Sequence, residues 1–294
     1  MAGERPLTAD LTGQTMVITG ASSGIGAAAA ERLQSFGATV VPVGRSPEKT
    51  RAVAAKLGVA PEICDYAELD QVRALADRLL ERCPRIDVLA NNAGGLLSSR
   101  QITSDGNEAM LQTNHLGAFL LTVLLADRLA DSDARVVTTS SAAHFLGSVD
   151  VEHLDAPKPA LWLERFWTYR QYGTTKLENI LFTRELQRRL GGKGVTATCL
   201  HPGAVASNFG SDDVFARLLY ATPASKLFAI PPEQGADTLV WLAAAPTDEI
   251  VPGAYYNDRR VSRTLPKADD DQLARQLWAE SARRVGADLP VAAE

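Results

Sequence analysis

Two hydrophobic patterns alternate along this chain. Short apolar runs rich in Val and Ile occur at 16–19, 39–43, 59–64, 86–90, 135–139 and 195–200. Longer stretches with helical spacing lie between them, near 24–36, 47–57, 67–82, 106–130 and 173–190. Strands that are apolar on both faces are typical of a parallel sheet covered by helices. The order predicts an α/β fold, a doubly wound parallel sheet flanked by helices.

Length and composition favour a single domain over 1–294, with a core at about 14–260 and a C-terminal helical segment at about 268–286. The chain has 294 residues, and 46% of them are hydrophobic. Its net charge is −5, and dense Lys/Arg runs are missing from the sequence. This composition disfavours nucleic-acid binding.

Targeting and metal signals are weak. The longest apolar run, 119–126, is too short for a membrane span, and the N-terminus has no signal-peptide core. Cys64, Cys83 and Cys199 lack metal-binding spacing and are predicted to be buried thiols. We expect a cytoplasmic protein with no membrane anchor and no metal.

The first strand is followed by a glycine-rich turn that opens an Ala-rich helix. The residues are Thr-Gly-Ala-Ser-Ser-Gly-Ile-Gly, positions 19–26, with the spacing G-x-x-x-G-x-G. Glycines allow close backbone approach, and a helix N-terminus offers unpaired N–H groups to a pyrophosphate. A glycine turn without a ligand is the alternative. The position at the head of a Rossmann-type sheet favours dinucleotide binding by Gly20, Ser22, Ser23, Gly24, Ile25 and Gly26.

The ends of the second and third strands bear on which dinucleotide binds. Arg45, followed by Ser46, stands where a carboxylate would accept hydrogen bonds from a ribose 2′-hydroxyl. Its guanidinium suits a 2′-phosphate, although a solvated surface arginine is the alternative. NADP(H) is therefore favoured over NAD(H). Asp65, with Tyr66 beside it, is predicted to meet the adenine or to cap the next helix.

Reactive side chains follow the later strands. Tyr172 and Lys176 are spaced i, i+4, so a helix places the ammonium beside the phenol, where it lowers the phenol pKa. Ser140 and Ser141 close the fifth strand, where a hydroxyl can steady a substrate oxygen. Asn114 is unfavourable within a helix unless it is solvated or has a specific role. The run 91–94, Asn-Asn-Ala-Gly, follows the fourth strand, and Asn91, Ala93 and Gly94 are predicted to brace a cofactor.

Together these motifs resemble the short-chain dehydrogenase/reductase family in order and spacing. They are the 19–26 turn, Asn91–Gly94, Asn114, Ser141, Tyr172-x-x-x-Lys176 and Pro202-Gly203, and the match covers about 14–260. The segments 114–117, 140–144 and 181–186 are similar to the retinol dehydrogenase and protochlorophyllide reductase-like branch.

The resemblance implies an Asn-Ser-Tyr-Lys tetrad, a nicotinamide cofactor and hydride exchange with an alcohol or carbonyl. Tyr172 is then the general acid/base, Ser141 binds the reacting oxygen, Asn114 positions a relay water, and Lys176 also holds the nicotinamide ribose. The family further implies that Pro202, Gly203, Val205 and Ser207 fix the carboxamide. It also implies a homodimer or homotetramer through the helices near 106–130 and 173–190.

Two segments bear on the substrate. Thirty residues separate Ser141 from Tyr172, and they include Leu161, Trp162, Phe166, Trp167 and Tyr169. These side chains either line an apolar pocket or serve packing and dimer contacts. By resemblance, about 204–232 forms a substrate lid. We therefore expect an apolar small-molecule substrate, whose identity the sequence leaves open.

His115, His144 and His201 lack metal-like spacing, and structural or surface roles are predicted for them. Two rival functions remain. One is a non-catalytic NADP(H)-binding redox sensor, disfavoured because all four tetrad residues are present. The other is an epimerase or dehydratase on the same fold. Such relatives usually carry a larger C-terminal substrate domain, and only about ninety residues follow the sixth strand here.

Overall fold

The computed structural model describes residues 7–155, 164–203 and 230–289. Within these ranges the strands form one eight-stranded sheet in the order β3-β2-β1-β4-β5-β6-β7-β8, and every neighbouring pair except β7–β8 is parallel. The strands are β1 Thr15–Thr19, β2 Thr39–Gly44, β3 Glu62–Ile63, β4 Val88–Asn91, β5 Arg135–Thr139, β6 Thr196–Leu200, β7 Tyr255–Asn257 and β8 Arg260–Val261.

Helices connect the strands on both faces of this sheet. They are α1 Gly24–Ser35, α2 Pro47–Leu57, α3 Leu69–Arg82, α4 Ala109–Leu111, α5 Gly117–Leu124, α6 Ala126–Asp131, α7 Glu164–Leu190, α8 Pro232–Gly235, α9 Asp237–Ala244 and α10 Asp271–Val285. A π-helical segment, Gln112–Leu116, joins α4 to α5, and short 3₁₀ turns lie at Ala142–Leu146, Gly191–Lys193, Thr247–Glu249 and Pro266–Asp269.

Successive side chains of the central strands enter two separate apolar cores. Val17 and Leu89 belong to the core beneath α3, α5, α7 and α10. Ile18 and Ala90 belong to the core beneath α1 and α9. The central strands are thus covered by helices on both faces, as expected for a parallel sheet, which confirms the predicted fold class.

Strand order reverses between β1 and β4, which are adjacent although two strands separate them in sequence. In doubly wound sheets this reversal opens a crevice at the carboxyl ends of the strands, where ligands bind. The predicted site residues follow β1, β2, β4, β5 and β6. The topology therefore brings these segments to one edge of the sheet.

Three predicted elements differ from the structure. The third strand is shorter than 59–64 and pairs only as Glu62–Ile63, next to Pro61, which lacks a backbone donor. The predicted helix 106–130 begins at Ala109, where the Glu108 carboxylate accepts from Met110 N and Leu111 N, and it is interrupted by the π segment. The predicted helix 173–190 begins earlier, at Glu164, so part of the long connection is the start of α7.

The C-terminal helix α10 packs against α7, α5 and the π segment. Its Trp278 ring lies 4.8 Å from Phe119 of α5 and 5.8 Å from Phe182 of α7, between ring centroids. Asp270 caps the helix at its N-terminus, and Gly286 ends it with φ +61°. None of the helices in the described ranges combines the length and apolar character that a membrane crossing requires.

Candidate active site

The glycine turn after β1 packs closely on the segment after β4. Gly20 has φ +67° and Gly24 has φ +57°, a backbone region that favours glycine. A Cβ on Gly26 would overlap the Gly20 carbonyl oxygen and lie 2.8 Å from Asn92 Nδ2. The Ser23 hydroxyl makes no capping hydrogen bond to the first turn of α1. The N–H groups of that turn therefore face the crevice entrance and are not bound by a serine side chain. Ser22 and Ile25 lie in the same turn, and such a turn suits a pyrophosphate.

The end of β2 lies against this turn. Ala21 N donates to Val43 O at 2.9 Å, and a Cβ on Gly44 would come 2.9 Å from Ser22 Cβ. Arg45 follows directly, exposed, and its guanidinium makes no hydrogen bond or ion pair with the described residues. Ser46 Oγ accepts from Lys49 N at 3.4 Å and caps α2. Arg45 is therefore positioned beside the phosphate turn and available to an anion.

Asp65 and Tyr66 follow β3. The Asp65 carboxylate accepts from Ala67 N at 3.0 Å and does not cap α3, which begins at Leu69. Leu69 N instead donates to Asp105 Oδ2 at 3.0 Å, so the predicted capping role of Asp65 was wrong. The Tyr66 ring is buried against Gly117, and burial raises the pKa of its phenol. The Tyr66 phenol is therefore enclosed in the core, and the Tyr66 carbonyl accepts from Gln112 Nε2 at 3.2 Å.

The segment after β4 is bound to the end of β1. Thr19 Oγ1 accepts from Asn92 N and Ala93 N at 3.0 Å each, and Asn92 Nδ2 donates to Thr19 O at 3.0 Å. The Asn91 amide points away from the crevice and donates to Thr122 Oγ1 at 2.9 Å. Thr19 was absent from the predicted site, although its position before the glycine turn was the available signal.

Asn114 lies in the π-helical segment and is 1% exposed. Its Oδ1 accepts from Gly95 N at 2.8 Å, and its Nδ2 donates to Gly95 O at 2.9 Å and to Thr175 Oγ1 at 3.1 Å. Gly94 has φ +151°, and a Cβ there would lie 2.8 Å from Asn114 Oδ1. The amide therefore joins the β4 loop to α7. Isolated π turns are frequently found at functional sites.

The two serines after β5 differ in environment. Ser140 is 1% exposed, and its hydroxyl donates to Lys176 O at 2.7 Å. The Ser141 hydroxyl is partly exposed and accepts from Ala143 N at 3.1 Å, which leaves its proton for another acceptor. The geometry therefore favours Ser141 over Ser140 as the group that meets a substrate oxygen.

Tyr172 and Lys176 lie one turn apart on α7 with their side chains together. Lys176 Nζ lies 5.5 Å from the Tyr172 ring centroid and donates to Thr139 O at 3.1 Å. Lys176 is 3% exposed and Tyr172 is 7% exposed. Burial lowers the pKa of Lys176 to about 8. An ammonium held this close favours the phenolate form of a tyrosine.

His144 is buried and holds the backbone of Ser141. Its Nδ1 donates to Ser141 O at 2.8 Å, and its Nε2 accepts from Leu265 N at 3.3 Å. This pairing fixes the neutral ring with its proton on Nδ1. Burial also lowers the pKa of His144. The ring is thus a structural support, as the sequence predicts.

The segment after β6 is described only at its start. His201 is half-buried, and its Nδ1 accepts from Gly203 N at 3.2 Å. Pro202 and Gly203 follow β6 at the same sheet edge, and Gly203 has φ +81°. Val205, Ser207 and most of the predicted lid lie outside the described residues, and their roles stay predictions.

An apolar cluster adjoins the tetrad. Tyr172, Leu96 and Met110 form its buried part, and Trp167 and Tyr169 of α7 pack against it. Trp167 and Tyr169 therefore lie on the helix that carries Tyr172, a placement that fits both the pocket and the local-packing alternatives for the long connection. The side chains of Leu161, Trp162 and Phe166 lie outside the described residues.

Cys64, Cys83 and Cys199 are all free and buried, as predicted. The described part of the chain contains no group of three or more His, Cys, Asp or Glu residues able to hold a metal ion. The absence of a metal requirement stays a prediction.

Comparison with known proteins places this site in a family. The short chain dehydrogenase family model matches residues 14–161. A protein named as a daunorubicin C-13 ketoreductase from Streptomyces sp. (strain C5) is 45% identical over 94% of this chain and 94% of its own length. Human retinol dehydrogenase 13 is 35% identical over 98% of this chain and 89% of its own length.

Solved structures agree with this placement. An uncharacterized protein from Mycobacterium paratuberculosis superposes with a TM-score of 0.76 at 31% identity, covering 97% of both chains. A short chain dehydrogenase from Burkholderia cenocepacia J2315, in complex with NADP, has a TM-score of 0.63 at 26% identity and covers 84% of this chain and 96% of its own. This chain belongs to the short-chain dehydrogenase/reductase family and is an oxidoreductase of its retinol dehydrogenase-like branch.

Proposed function

We propose that this protein uses NADP(H) to exchange hydride with the alcohol or carbonyl group of a bulky apolar metabolite-sized compound. Tyr172 acts as the general acid/base. The observation that carries the proposal is the assembly of Ser141, Tyr172 and buried Lys176 at the sheet edge that also holds the glycine turn. A proton donor, a cation and an oxygen-binding hydroxyl there suit carbonyl reduction and its reverse.

The bound nicotinamide would supply or accept the hydride. In reduction, Tyr172 Oη gives its proton to the carbonyl oxygen, while Ser141 Oγ donates to the same oxygen and steadies its charge. Lys176 favours the phenolate that remains on Tyr172, because its ammonium lies beside the ring. Oxidation reverses these proton movements.

Asn114 supports this arrangement from the π segment. Its amide already binds Gly95 and Thr175, and Thr175 Oγ1 in turn donates to Tyr172 O at 2.8 Å. This chain of bonds holds the β4 loop and the Tyr172 turn of α7 in fixed register. A relay water at Asn114 would use the remaining lone pair of its Oδ1.

NADP(H) is the favoured cofactor because Arg45 lies beside the phosphate turn as an exposed guanidinium. A planar guanidinium binds phosphate oxygens in pairs. The Burkholderia relative with bound NADP supports the same assignment.

The substrate class follows from the apolar cluster and the relatives. The partly buried Trp167 and Tyr169 pack with the buried Leu96 and Met110 next to Tyr172. Two relatives are named for daunorubicin C-13 ketoreduction and for retinol. We infer a bulky, largely apolar ketone, aldehyde or alcohol, handled in the cytoplasm.

NADPH oxidation measured with a panel of apolar ketones, aldehydes and quinones tests the proposal. Tyr172→Phe is expected to reduce kcat by at least about 100-fold while cofactor affinity stays within a few fold, because only the transferable proton is lost. Tyr256→Phe is the matched control, because Tyr256 lies on β7 and its hydroxyl accepts from Val251 N at 2.7 Å. Full turnover by Tyr172→Phe would refute the mechanism, and inactivity across the whole panel would refute the substrate class.

A further inference from the structure

One backbone carbonyl beside the active site holds two side chains of α7. Thr139 O accepts from Lys176 Nζ at 3.1 Å and from Asn179 Nδ2 at 3.2 Å. Lys176 and Asn179 are 3% and 2% exposed. A carbonyl oxygen has two lone pairs, so these two donors fill its capacity. Asn179 thus restrains the same acceptor that orients the lysine.

Asn179 is itself backed by a buried imidazole. His115 is 1% exposed, and its Nε2 lies 2.8 Å from Ser281 Oγ of α10. Burial lowers the pKa of His115 to about 4, and the Asn179 side chain opposes that shift, so the two groups are neighbours. The ring is therefore neutral at physiological pH.

The open valences of these two side chains complement each other. His115 Nδ1 and Asn179 Oδ1 are both buried and have no hydrogen-bond partner among the described residues. A proton on Nδ1 would point to Asn179 Oδ1, and Nε2 would then accept from the Ser281 hydroxyl. With a small side-chain adjustment, this tautomer pairs His115 Nδ1 with Asn179 Oδ1 and His115 Nε2 with Ser281 Oγ. It thereby removes the free-energy cost of leaving buried polar atoms unpaired.

No carboxylate competes for Lys176 in the described part of the chain. The titratable groups that face it are Tyr172 on α7 and Cys199 on β6, and Tyr255 of β7 faces both of these. Burial raises the pKa of Cys199 to about 12 and also raises that of Tyr255, so neither is ionised at neutral pH. The Thr139 carbonyl is therefore the group that sets where the ammonium lies.

We propose that Asn179 is a positioning residue for the reaction: it fixes the Thr139 carbonyl so that Lys176 is held against Tyr172, and His115 with Ser281 of the C-terminal helix holds Asn179. The inference rests on the proposed function for its effect on turnover. Its effect on the Tyr172 titration does not depend on substrate.

The test uses Asn179→Leu, which keeps the size of the side chain and removes the donor. Thr183→Val is the control, because Thr183 Oγ1 donates to the Asn179 backbone oxygen one turn further along α7 and does not touch Thr139. The phenol pKa of Tyr172 is read from the phenolate absorbance in the near ultraviolet, as the difference between each protein and its Tyr172→Phe counterpart. The alkaline limb of kcat is measured in parallel.

Without the Asn179 donor, Lys176 is held less firmly, so the pKa of Tyr172 is expected to rise by about half a unit or more. We expect kcat to fall about fivefold, the size of one lost hydrogen bond, with its alkaline limb moved to higher pH. Thr183→Val is expected to leave both unchanged. Folding of every variant is checked by its melting temperature.

Asn179→Asp covers the case in which the leucine variant does not fold. This change is isosteric, and an ionised carboxylate near Lys176 is expected to raise the pKa of Tyr172 further. An unchanged Tyr172 titration in a folded Asn179 variant would overturn the proposal, and so would an equal shift in Thr183→Val. If no substrate is turned over but the Tyr172 titration moves as expected, the proposed function fails and the positioning role stands.

Discussion

At the scale of single residues, the site depends on a charge that the fold keeps dry. Lys176 lies beneath the sheet edge, and its hydrogen bond to Thr139 O replaces only part of the hydration that the ammonium loses. The same desolvation strengthens its action on Tyr172, because Coulomb interactions weaken in water. The residue is therefore expected to cost stability while it serves chemistry.

Lys176→Met tests whether the buried ammonium lowers the stability of the fold. The folded pKa of about 8 lies below the ordinary value of 10.5, so the unfolded chain binds more protons between these two pH values. The destabilisation is complete below about pH 8 and disappears as the pH rises toward 10.5. This shift in the Lys176 pKa corresponds to a loss of roughly 3 kcal/mol in the free energy of unfolding below pH 8. Replacing Lys176 by Met also removes the hydrogen bond to Thr139 O, which offsets about 1 kcal/mol of the stability regained.

We therefore expect Lys176→Met to be more stable than the parent at pH 7 in urea unfolding, with a difference that shrinks toward pH 10. Lys193→Met, at an exposed position, is the control. Lower stability of Lys176→Met by the same amount at every pH would contradict the desolvation argument.

We also expect cofactor choice to depend on one residue, Arg45. Arg45→Asp is expected to weaken NADPH binding by at least about tenfold and NADH binding much less, because a carboxylate repels the 2′-phosphate and accepts from the 2′-hydroxyl. Arg51→Asp makes the same charge change at an exposed position on α2. Titration of both nucleotides by fluorescence decides the matter, and a parent protein that prefers NADH would refute the assignment.

At the scale of elements, the turn between β1 and α1 leaves no room for a side chain at Gly26. Gly26→Ala is expected to lower NADPH affinity and to destabilise the fold by about 1–3 kcal/mol, because its Cβ would overlap the Gly20 carbonyl. Gly192→Ala is the control, since a Cβ there meets nothing within 4 Å. Calorimetric binding and thermal unfolding report the two effects, and equal behaviour of the two variants would contradict the steric argument.

Local pattern predicted the elements whose sequence alone decides them. The apolar run 135–139 forms β5 with the predicted bounds, and the helix 47–57 forms α2, with Ser46 at its N-cap and Pro47 in its first turn. Strands β7 and β8 contain only three and two residues, too few for a periodic signal. β7 pairs with Cys199 and Leu200 of β6, and β8 pairs with β7, so both strands depend on the edge of the sheet.

Within the site, residue types were predictable and backbone partners were not. The spacing of Tyr172 and Lys176 predicts a shared helix face, and the structure brings the two side chains together. Thr139 acts through its carbonyl, which every residue carries, so its identity gives no signal. The partners of the Asn114 amide in the π turn, Gly95 and Thr175, likewise gave no signal in the sequence.

At the scale of the whole molecule, α10 occupies the outer faces of α5 and α7. These helices correspond to the predicted homodimer or homotetramer interface, and Trp278 covers Phe119 and Phe182 there. Arg189 lies over the same indole at 4.6 Å from its ring. An association through these two helices would need α10 to move away.

Trp278→Ala is expected to lower the free energy of unfolding by about 3–5 kcal/mol, because the indole is 2% exposed in an aromatic cluster. Val261→Ala, at a position 57% exposed, is the control. We expect cross-linking of the parent protein to find no contact between the α5 helices of two copies. A parent dimer cross-linked between the α5 helices of two copies would refute this.

The buried thiols give this protein a practical property. All three cysteines of the chain lie in its core, and burial raises the pKa of Cys64 and of Cys199 to about 12. Maleimide and similar reagents attack thiolates, which these groups do not provide at neutral pH. A fluorophore or spin label attached to a Lys193→Cys variant, at an exposed position, would therefore mark that position alone, with the three native cysteines left in place.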